Sequence, residues 1–215
     1  MTSCAELQPL FDANPRAQEF AALVDGHSPD CACEQSAVSA QSRNVPVRDD
    51  ELLVRIVLRS DVKDADLPRF EDTVMLSVIG SGLSVLREAQ ATAQEIRALA
   101  NELAQNGARS RPSNEIVEVA GVIRFPVSAA RSRVLAMAPD QIRRLFCVYE
   151  TPEQGFPSHA DILLTANNFP TKRKRKMQAF DFLDSISNLF IRAADYDKAD
   201  LSGIKYKGQG TISCL

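Results

Sequence analysis

The sequence predicts a single α+β domain in which a mixed or antiparallel sheet is covered by two helices, with an N-terminal helical arm and an extended C-terminal tail. The 215-residue chain is 45% hydrophobic and 25% charged, which is an ordinary globular composition. Several short apolar runs end at glycine or proline, as strands do, and two longer segments carry apolar residues at helical spacing. We therefore expect an arm over residues 1–50, a core domain over 51–192 and a tail over 193–215.

The arm is expected to contain one short helix followed by a linker. Asn14 suits the N-cap position, Pro15 suits the first helical turn and Gly26 suits the end of the helix. The following residues are rich in serine and aspartate and lack periodic hydrophobic residues, which predicts a linker. Because a helix of about ten residues is marginal alone in water, we expect it to dock on the rest of the chain or on another protein.

The first strand of the core, Glu51–Leu58, carries Arg55 in the middle of an apolar run. An unpaired guanidinium is costly to bury, so Arg55 needs a carboxylate, a bound anion or a route to solvent. Two interpretations are open: an edge or half-exposed strand with Arg55 on its wet face, or a functional arginine. The next strand, Leu83–Arg87, brings Ser84 into the predicted sheet.

Two helices are expected to cover the sheet. A capping box from Thr92 to Glu95 begins the first, which is expected to stop at Asn106–Gly107. The second is expected over about residues 173–192, with a broad apolar face formed by Met177, Phe180, Leu183, Ile186, Leu189 and Phe190.

Further strands are predicted between these helices. Ile116–Phe125 is expected to form one or two strands with a bulge at Gly121. Within Gln141–Tyr149, the run Leu145–Tyr149 is expected to form a strand. This strand is expected to pair antiparallel with the run that follows Pro157, across the loop Pro152–Pro157.

One of the two histidines, His159, lies two residues before Asp161 at the start of that last apolar run. The two-residue period of a strand places both side chains on one face. The simpler interpretation is a histidine whose ring bonds to a backbone carbonyl beside the Pro157 turn. A Ser-His-Asp triad is disfavoured, because the chain has no nucleophile elbow of the Gly-x-Ser-x-Gly kind.

A catalytic interpretation combines Arg55, Ser84 and His159, each of which lies on a predicted strand. Together they would hold a phosphate-bearing ligand: Arg55 would bind the anion, Ser84 would donate a hydroxyl, and His159 would act as acid or base. This hypothesis requires the three side chains to converge on one side of the sheet.

The most charged stretch of the chain falls at the start of the last predicted helix and consists of Lys172, Arg173, Lys174, Arg175 and Lys176. Cations at a helix N-terminus oppose the macrodipole, so this run is not expected to serve helix stability. A partner anion would relieve the repulsion, and it would be either nucleic-acid phosphate or an acidic protein surface; the alternative is a solvated charged surface. No aromatic residue interleaves with the run, so stacking on single strands is not supported.

The composition limits which binding partners and which cellular compartment are expected. A net charge of -3 argues against a nucleic-acid binder held by overall charge. No run approaches the roughly 18 apolar residues that cross a bilayer, and the N-terminus has neither a basic start nor an apolar signal core, so we expect a cytoplasmic protein without a membrane partner. Five cysteines, an odd and unevenly spaced set, predict reduced thiols. His27, Cys31 and Cys33 lack a second ligand pair for zinc, and no motif indicates a cofactor, so neither is expected.

Three short motifs resemble uncharacterised bacterial proteins that have an Asn-Pro-Ala-His-Ala-Glu-Ile-like segment: Arg55, Ser84 before a capped helix, and the segment 157–162. The likeness covers about residues 51–165, and this chain has Phe156 before the proline and Asp161 in place of the glutamate. That family implies no activity. The strand order is also similar to the Arg, Ser, acid-or-His order of ADP-ribosyltransferase-like folds, although no glutamate stands where their catalytic glutamate would be.

We therefore expect a non-catalytic interaction subunit of a bacterial multiprotein assembly, in a toxin or phage-defence context, because an arm, a basic run and a tail suit docking while familiar enzyme motifs are missing. One alternative is a small enzyme or binding domain for a nucleotide-like anion, using Arg55, Ser84 and His159. Another is local nucleic-acid docking through residues 172–176.

Overall fold

The structure is a computed structural model that describes residues 4–12, 20–36, 46–62, 70, 74, 78–138, 141–165 and 171–210. Within these ranges the α-helices are α1 Leu7–Asp12, α2 Phe20–His27, α3 Ala93–Arg109, α4 Ser128–Arg131 and α5 Lys172–Ser187. The strands are β1 Leu52–Leu58, β2 Leu83–Arg87, β3 Ile116–Pro126, β4 Val134–Ala138, β5 Gln141–Arg144, β6 Phe146–Glu150, β7 His159–Leu164, β8 Phe190–Arg192 and β9 Lys205–Lys207. The predicted α+β class is confirmed.

One sheet organises the described chain. Its strands follow the order β6-β7-β2-β1-β3-β8, with every neighbouring pair antiparallel, and β9 pairs with another part of β3. β4 and β5 form a separate two-stranded hairpin. The antiparallel pairing predicted across the Pro152–Pro157 loop is confirmed as β6 with β7. The strand expected at Leu145–Tyr149 is confirmed as β6, and a bend at Leu145 separates it from β5 of the hairpin.

β1 lies in the interior of the sheet, because β2 and β3 pair with it on either side. An edge position for this strand is therefore wrong, whereas the side chain of Arg55 is half-exposed, as the other form of that interpretation expected. Side chains alternate along β1: Leu53 and Val57 join one hydrophobic cluster, whereas Val54 and Ile56 join another. Helix α5 packs on the first side and helix α3 on the second, and we call these sides of the sheet the α5 face and the α3 face.

The start of α3 follows the predicted capping box. Thr92 Oγ1 accepts from the main-chain N–H of Glu95 at 3.1 Å, and the Glu95 carboxylate accepts from the N–H of Thr92 at 3.4 Å. Ile96 and Ala100 then bury the apolar stripe of the helix on the sheet, and the helix continues past the expected stop to Arg109.

The end of α5 differs from the prediction. The helix stops at Ser187, and the residues that were expected to continue it to position 192 instead form β8 against β3. Gly121 permits this pairing, because a Cβ at that position would lie 2.1 Å from the carbonyl oxygen of Ile191. The bulge predicted near this glycine is confirmed: Val57 pairs with Gly121 and Leu58 with Val119, which leaves one unpaired residue on β3 between them.

Residues 4–12 and 20–36 pack on the α3 face beside β6 and β7, and we call them the N-terminal cover. They contribute a buried cluster that includes Leu7, Phe11, Phe20, Val24, Tyr149 and Leu163. The expected helix start at Asn14 and Pro15 lies outside the described residues, and α2 ends at His27, next to the expected stop at Gly26.

The expectation of reduced thiols is wrong. Disulfides join Cys4 to Cys33 and Cys31 to Cys147. The fold brings Cys31 to a Cα–Cα distance of 5.4 Å from Cys147, across 116 residues of sequence. Sequence spacing does not reveal such a contact.

The segment after β8 continues across α3. Tyr196, Leu201 and Ile204 join the cluster under that helix, and β9 pairs with the first residues of β3. The N-terminal cover and the segment 193–207 therefore both contact the sheet or its helices. The domain boundaries near residues 50 and 192 stay a prediction.

Candidate functional site

Two of the three residues of the catalytic interpretation, Ser84 and His159, lie with Asp161 around the start of β7. His159 opens that strand, Asp161 follows two residues later, and Thr151 approaches them from the end of β6. The register pairs Ser84 of β2 with Asp161, so both side chains lie on the α3 face. Thr151, His159 and Asp161 are buried, with only 4% of His159 exposed, and Ser84 is half-buried.

Hydrogen bonds join these side chains in a row. Ser84 Oγ donates to Asp161 Oδ1 at 3.2 Å, and Thr151 Oγ1 donates to Asp161 Oδ2 at 2.9 Å. His159 Nδ1 lies 2.8 Å from the carbonyl oxygen of Thr151 and 3.0 Å from its hydroxyl. Since a carbonyl oxygen only accepts, the hydrogen is assigned to Nδ1, and the single hydroxyl hydrogen of Thr151 is directed to Asp161. The bond to a backbone carbonyl is the one expected by the simpler interpretation of His159.

Arg55 lies on the opposite side of the sheet from Ser84 and His159. It pairs with Ile123, which belongs to the cluster on the α5 face. Arg55 Nη1 donates to the main-chain carbonyl of Ser84 at 2.9 Å. Burial raises the pKa of Asp61 and attraction by Arg55 opposes that rise, so a carboxylate lies within the electrostatic reach of this arginine. The structure thus brings Ser84 near His159 but does not bring Arg55 to the same side.

The arrangement around His159 is suited to closing a loop. Thr151 and His159 stand at the two ends of the β6–β7 loop, and the N–H of Thr151 donates to the carbonyl of His159 at 3.1 Å. Ser158 donates from its N–H and its hydroxyl to Glu95 Oε1, at 2.9 and 2.6 Å, which ties the loop to the first turn of α3. General acid–base catalysis requires the ring within about 3 Å of a substrate proton, and the burial of His159 leaves little surface for such an approach.

The predicted basic run forms the first turns of α5, after the N-cap Thr171. Its members with exposed side chains are Arg173, Lys174 and Lys176. Arg175 is half-buried, and its Nε is buried without a hydrogen-bond partner among the described residues. The side chain of Lys172 lies outside the described part of the chain. Three of the five cations are thus placed at the surface.

The same helix exposes apolar residues next to these cations. Met177 is 53% exposed and Phe180 is 48% exposed, although the sequence assigned both to the buried side. The side chains that α5 buries are Ala179, Phe182, Leu183 and Ile186. Arg173, Met177, Phe180 and Asp184 recur at spacings of four, three and four residues, which places them together on the other side of the helix. We call these four residues the outer face of α5.

A buried ion cluster around Glu34 was not foreseen. Glu34 accepts from Arg144 Nη1 and Nη2 at 2.8 and 2.9 Å and from Arg131 Nε at 3.0 Å. It also accepts from the N–H of Val148 at 2.5 Å. Because β6 is the last strand on its side of the sheet, Glu34 occupies part of an edge that another strand could otherwise use. The only signal in the sequence was an acidic residue within an expected linker.

Two further carboxylate–arginine groups brace the sheet. Arg87 Nε and Nη2 donate to the two carboxylate oxygens of Glu51 at 2.8 and 2.7 Å. Glu88 accepts from Arg124 Nε at 2.8 Å and from the hydroxyl of Tyr196 at 3.0 Å. The partners are far apart in sequence, so no local pattern could have indicated these pairs.

Two clefts lie next to these groups. One of about 410 Å³ lies between the first turn of α3 and the β6–β7 loop, where Ser158 already bonds to Glu95. Another of about 520 Å³ lies beside the Glu34 cluster. There Arg131 Nη1 donates to Asp49 at 2.6 Å, so acidic groups balance the arginine.

The described residues were also considered as metal ligands and as membrane-spanning helices. Within the described ranges, no group of three or more His, Cys, Asp or Glu residues is placed to hold a metal ion. No described helix has both the length and the apolarity needed to cross a bilayer. No protein-family model, curated protein or solved structure matches the chain.

Proposed function

We propose that the protein is a non-catalytic interaction subunit that docks an acidic partner protein through the outer face of α5. The observation that carries this proposal is the exposure of Met177 and Phe180 beside the cations of the first turn. Large apolar side chains that are half exposed and adjacent on a helix are typical of contact surfaces.

The charged residues of α5 are placed unfavourably with respect to its helix dipole. Its first turn carries cations and no acidic residue, its last turn carries no basic residue, and Asp181 and Asp184 lie in its second half. An exposed charge at the unfavourable end of a helix costs about 0.3 to 1 kcal/mol. A charge order that weakens the isolated helix is consistent with a surface satisfied by a partner, with acidic groups opposite Arg173 and Lys174.

The apolar residues favour a protein partner over nucleic acid. Phosphate oxygens require hydrogen-bond donors, which Met177 and Phe180 do not offer. Asp184 lies on the same face, so phosphates spaced evenly along it would meet a like charge, whereas a protein partner can confine its carboxylates to the Arg173 end. An amphipathic acidic segment, with carboxylates at one end and two apolar anchors one turn apart, would complement both parts of the outer face.

The burial of His159 supports the non-catalytic part of the proposal. Its ring bonds to Thr151, and Arg55 lies on the other side of the sheet. The toxin or phage-defence setting stays a prediction from the sequence.

The cytoplasmic location belongs to the same proposal. The two disulfides weigh against it, because disulfides persist mainly in oxidising compartments.

Fluorescence anisotropy with two probes tests the docking proposal. The first is a helical peptide with glutamates near one end and two leucines one turn apart, and the second is a short DNA duplex. We expect the peptide to bind the full chain, and Phe180→Ala to weaken that binding by about tenfold. Arg173→Glu combined with Lys174→Glu should weaken it as well and reduce its salt dependence. Lys205→Glu, which reverses an exposed cation on β9, is the matched control and should leave binding unchanged.

Two results would contradict the docking proposal. Equal peptide binding by all variants would show that α5 is not the contact surface. Binding of the duplex that is lost on charge reversal and kept in Phe180→Ala would identify the run as a nucleic-acid surface instead.

A further inference from the structure

We propose that the N-terminal cover is a redox-controlled latch: reduction of its two disulfides by a dithiol reductant releases the cover from β6 and β7 and exposes the apolar surface beneath it. The inference goes beyond the proposed function and does not rest on it. The cover lies on the α3 face and α5 packs on the other, so a test of one leaves the other unaffected.

The disulfides hold the cover in two different ways. Cys31–Cys147 joins it directly to β6. Cys4–Cys33 joins the first described residues of the cover to its last turn. Cys31, Cys33 and Cys147 are buried, whereas Cys4 is half-buried. A reductant therefore reaches Cys4–Cys33 first, and Cys31–Cys147 after the cover has loosened.

The helices of the cover are too short to persist once detached. α1 has six residues and α2 has eight, while isolated helices shorter than about 12 residues are marginal in water. Their order depends on docking: the ring of Phe11 lies 5.5 Å from that of Tyr149 and 5.2 Å from that of Phe20, centroid to centroid. Detachment therefore means loss of structure in the cover as well as movement.

The turn before Cys31 favours release. Asp30 and Cys31 have φ angles of 56° and 61°, a left-handed backbone that residues with a Cβ rarely adopt. Such a conformation persists where its surroundings impose it. Here the disulfide to Cys147 and an ion pair between Asp30 and Arg143 impose it. Once the disulfide is broken, Cys31 can leave this conformation, and the attachment of the cover to β6 is weakened at this point.

The surface beneath the cover is apolar and includes a strand edge. Tyr149 and Leu163 are fully buried by the cover, and the hydroxyl of Tyr149 donates to Ser28 Oγ at 2.9 Å. Glu34 bonds to the N–H of Val148 on the outer edge of β6. Release of the cover exposes this edge and the ring of Tyr149 together.

The chemistry is thiol–disulfide exchange. A thiolate of the dithiol reductant attacks Cys4 Sγ, the Cys4–Cys33 bond breaks, and Cys33 leaves as a thiolate. The second thiol of the reductant then displaces Cys4 from the mixed disulfide. The reductant becomes a disulfide, and the two cysteines gain two electrons and two protons. The same exchange then reduces Cys31–Cys147.

Amide hydrogen exchange on the full-length oxidised protein, with and without dithiothreitol, tests the latch. Alkylation and intact mass should show that reduction releases four further thiols. We expect exchange in residues 20–36 and 146–150 to rise by about tenfold or more, while exchange in residues 53–57 of β1 stays unchanged.

The ionisation of Tyr149 gives a second measurement. Burial raises the pKa of Tyr149 to about 12 in the closed cover. Exposure returns it towards the ordinary value of about 10. At a pH between these values, the reduced protein should therefore show more phenolate absorbance than the oxidised protein.

Matched double variants separate the two disulfides. Cys31→Ser with Cys147→Ser should raise exchange in the cover and in β6 without any reductant. Cys4→Ser with Cys33→Ser keeps the link to β6 and should raise exchange mainly in residues 4–12.

Three results would overturn the latch. The first is unchanged exchange in the cover after both disulfides are shown to be reduced. The second is an equal rise in β1, which would make the disulfides general staples of the fold. The third is the presence of all four thiols in the protein before any reduction.

Discussion

The hydroxyl of Thr151 serves two buried partners at once. It donates to Asp161 Oδ2 at 2.9 Å and lies 3.0 Å from His159 Nδ1. Thr151→Val keeps the shape of the side chain and removes both contacts, so we expect the free energy of unfolding to fall by about 1 to 3 kcal/mol in chemical denaturation. Thr151→Ser keeps the hydroxyl and should lose only about 1 kcal/mol. Equal losses in the two variants would contradict this role of the hydroxyl.

Glu34 is the residue whose charge matters most for the cover. Glu34→Gln leaves the guanidinium groups of Arg131 and Arg144 without their shared carboxylate. Breaking a buried ion pair typically costs about 3 to 5 kcal/mol, and the partial exposure of Arg144 favours the lower end. Thermal or chemical unfolding measures the loss. Glu118→Gln, at an exposed position on β3, should change the free energy of unfolding by less than about 0.5 kcal/mol.

Tyr149 makes stability fall at high pH. Burial raises its pKa to about 12 in the folded protein, against about 10 in the unfolded chain. Between these values the unfolded chain has lost the phenol proton and the folded protein retains it. Tyr149 should therefore contribute a decrease of about 1.4 kcal/mol per pH unit to the free energy of unfolding as pH rises through this window, and no pH dependence below it.

Tyr149→Phe is the control for that slope. Burial also raises the pKa of Tyr196, so part of the slope should remain in this variant. A slope identical to that of the unmodified protein would show that Tyr149 does not cause it.

At the scale of the element, α5 allows stability and binding to be separated. Arg173→Glu replaces an exposed cation in the first turn by an anion that favours the helix dipole, so we expect a gain of about 0.5 kcal/mol in the free energy of unfolding. The same variant should bind the acidic probe peptide more weakly. A purely structural role for Arg173 predicts no loss of binding, and a loss of stability together with binding would contradict the account.

Local signals predicted the elements whose causes are local. The capping box of Thr92 and Glu95 and the β-branched run in β1 depend on neighbouring residues, and both were predicted correctly. The end of α5 was predicted too late, because β8 is fixed by pairing with β3 near Gly121. Met177 and Phe180 were assigned to the core because apolar character alone does not show which side of a helix a sheet will cover.

At the scale of the whole molecule, the candidate site depended on register. Ser84 and Asp161 meet because β2 and β7 are neighbours, and Arg55 lies on the other face because of its place along β1. The amino-acid sequence shows neither which strands become neighbours in the sheet nor the register in which they pair. The disulfide between Cys31 and Cys147 and the contacts of Glu34 also join residues far apart in sequence, so the sequence does not indicate them.

The two faces of the sheet divide the proposed roles. Helix α5 on one face presents cations and apolar side chains outward, while the N-terminal cover on the other face is held by disulfides and by Glu34. A partner bound at α5 and a released cover would therefore not compete for the same surface.

Site-specific cross-linking in native cells is the most direct test of docking through α5. A photoreactive phenylalanine analogue replaces Phe180 in the full chain, and the same analogue at Ile116, an exposed apolar position on β3, is the control. Docking through α5 predicts a cross-link from position 180 to an acidic protein and none from position 116. This cross-link should be lost when Arg173→Glu and Lys174→Glu are added. Cross-links to nucleic acid alone, the same products from both positions, or no cross-link from position 180 would contradict it.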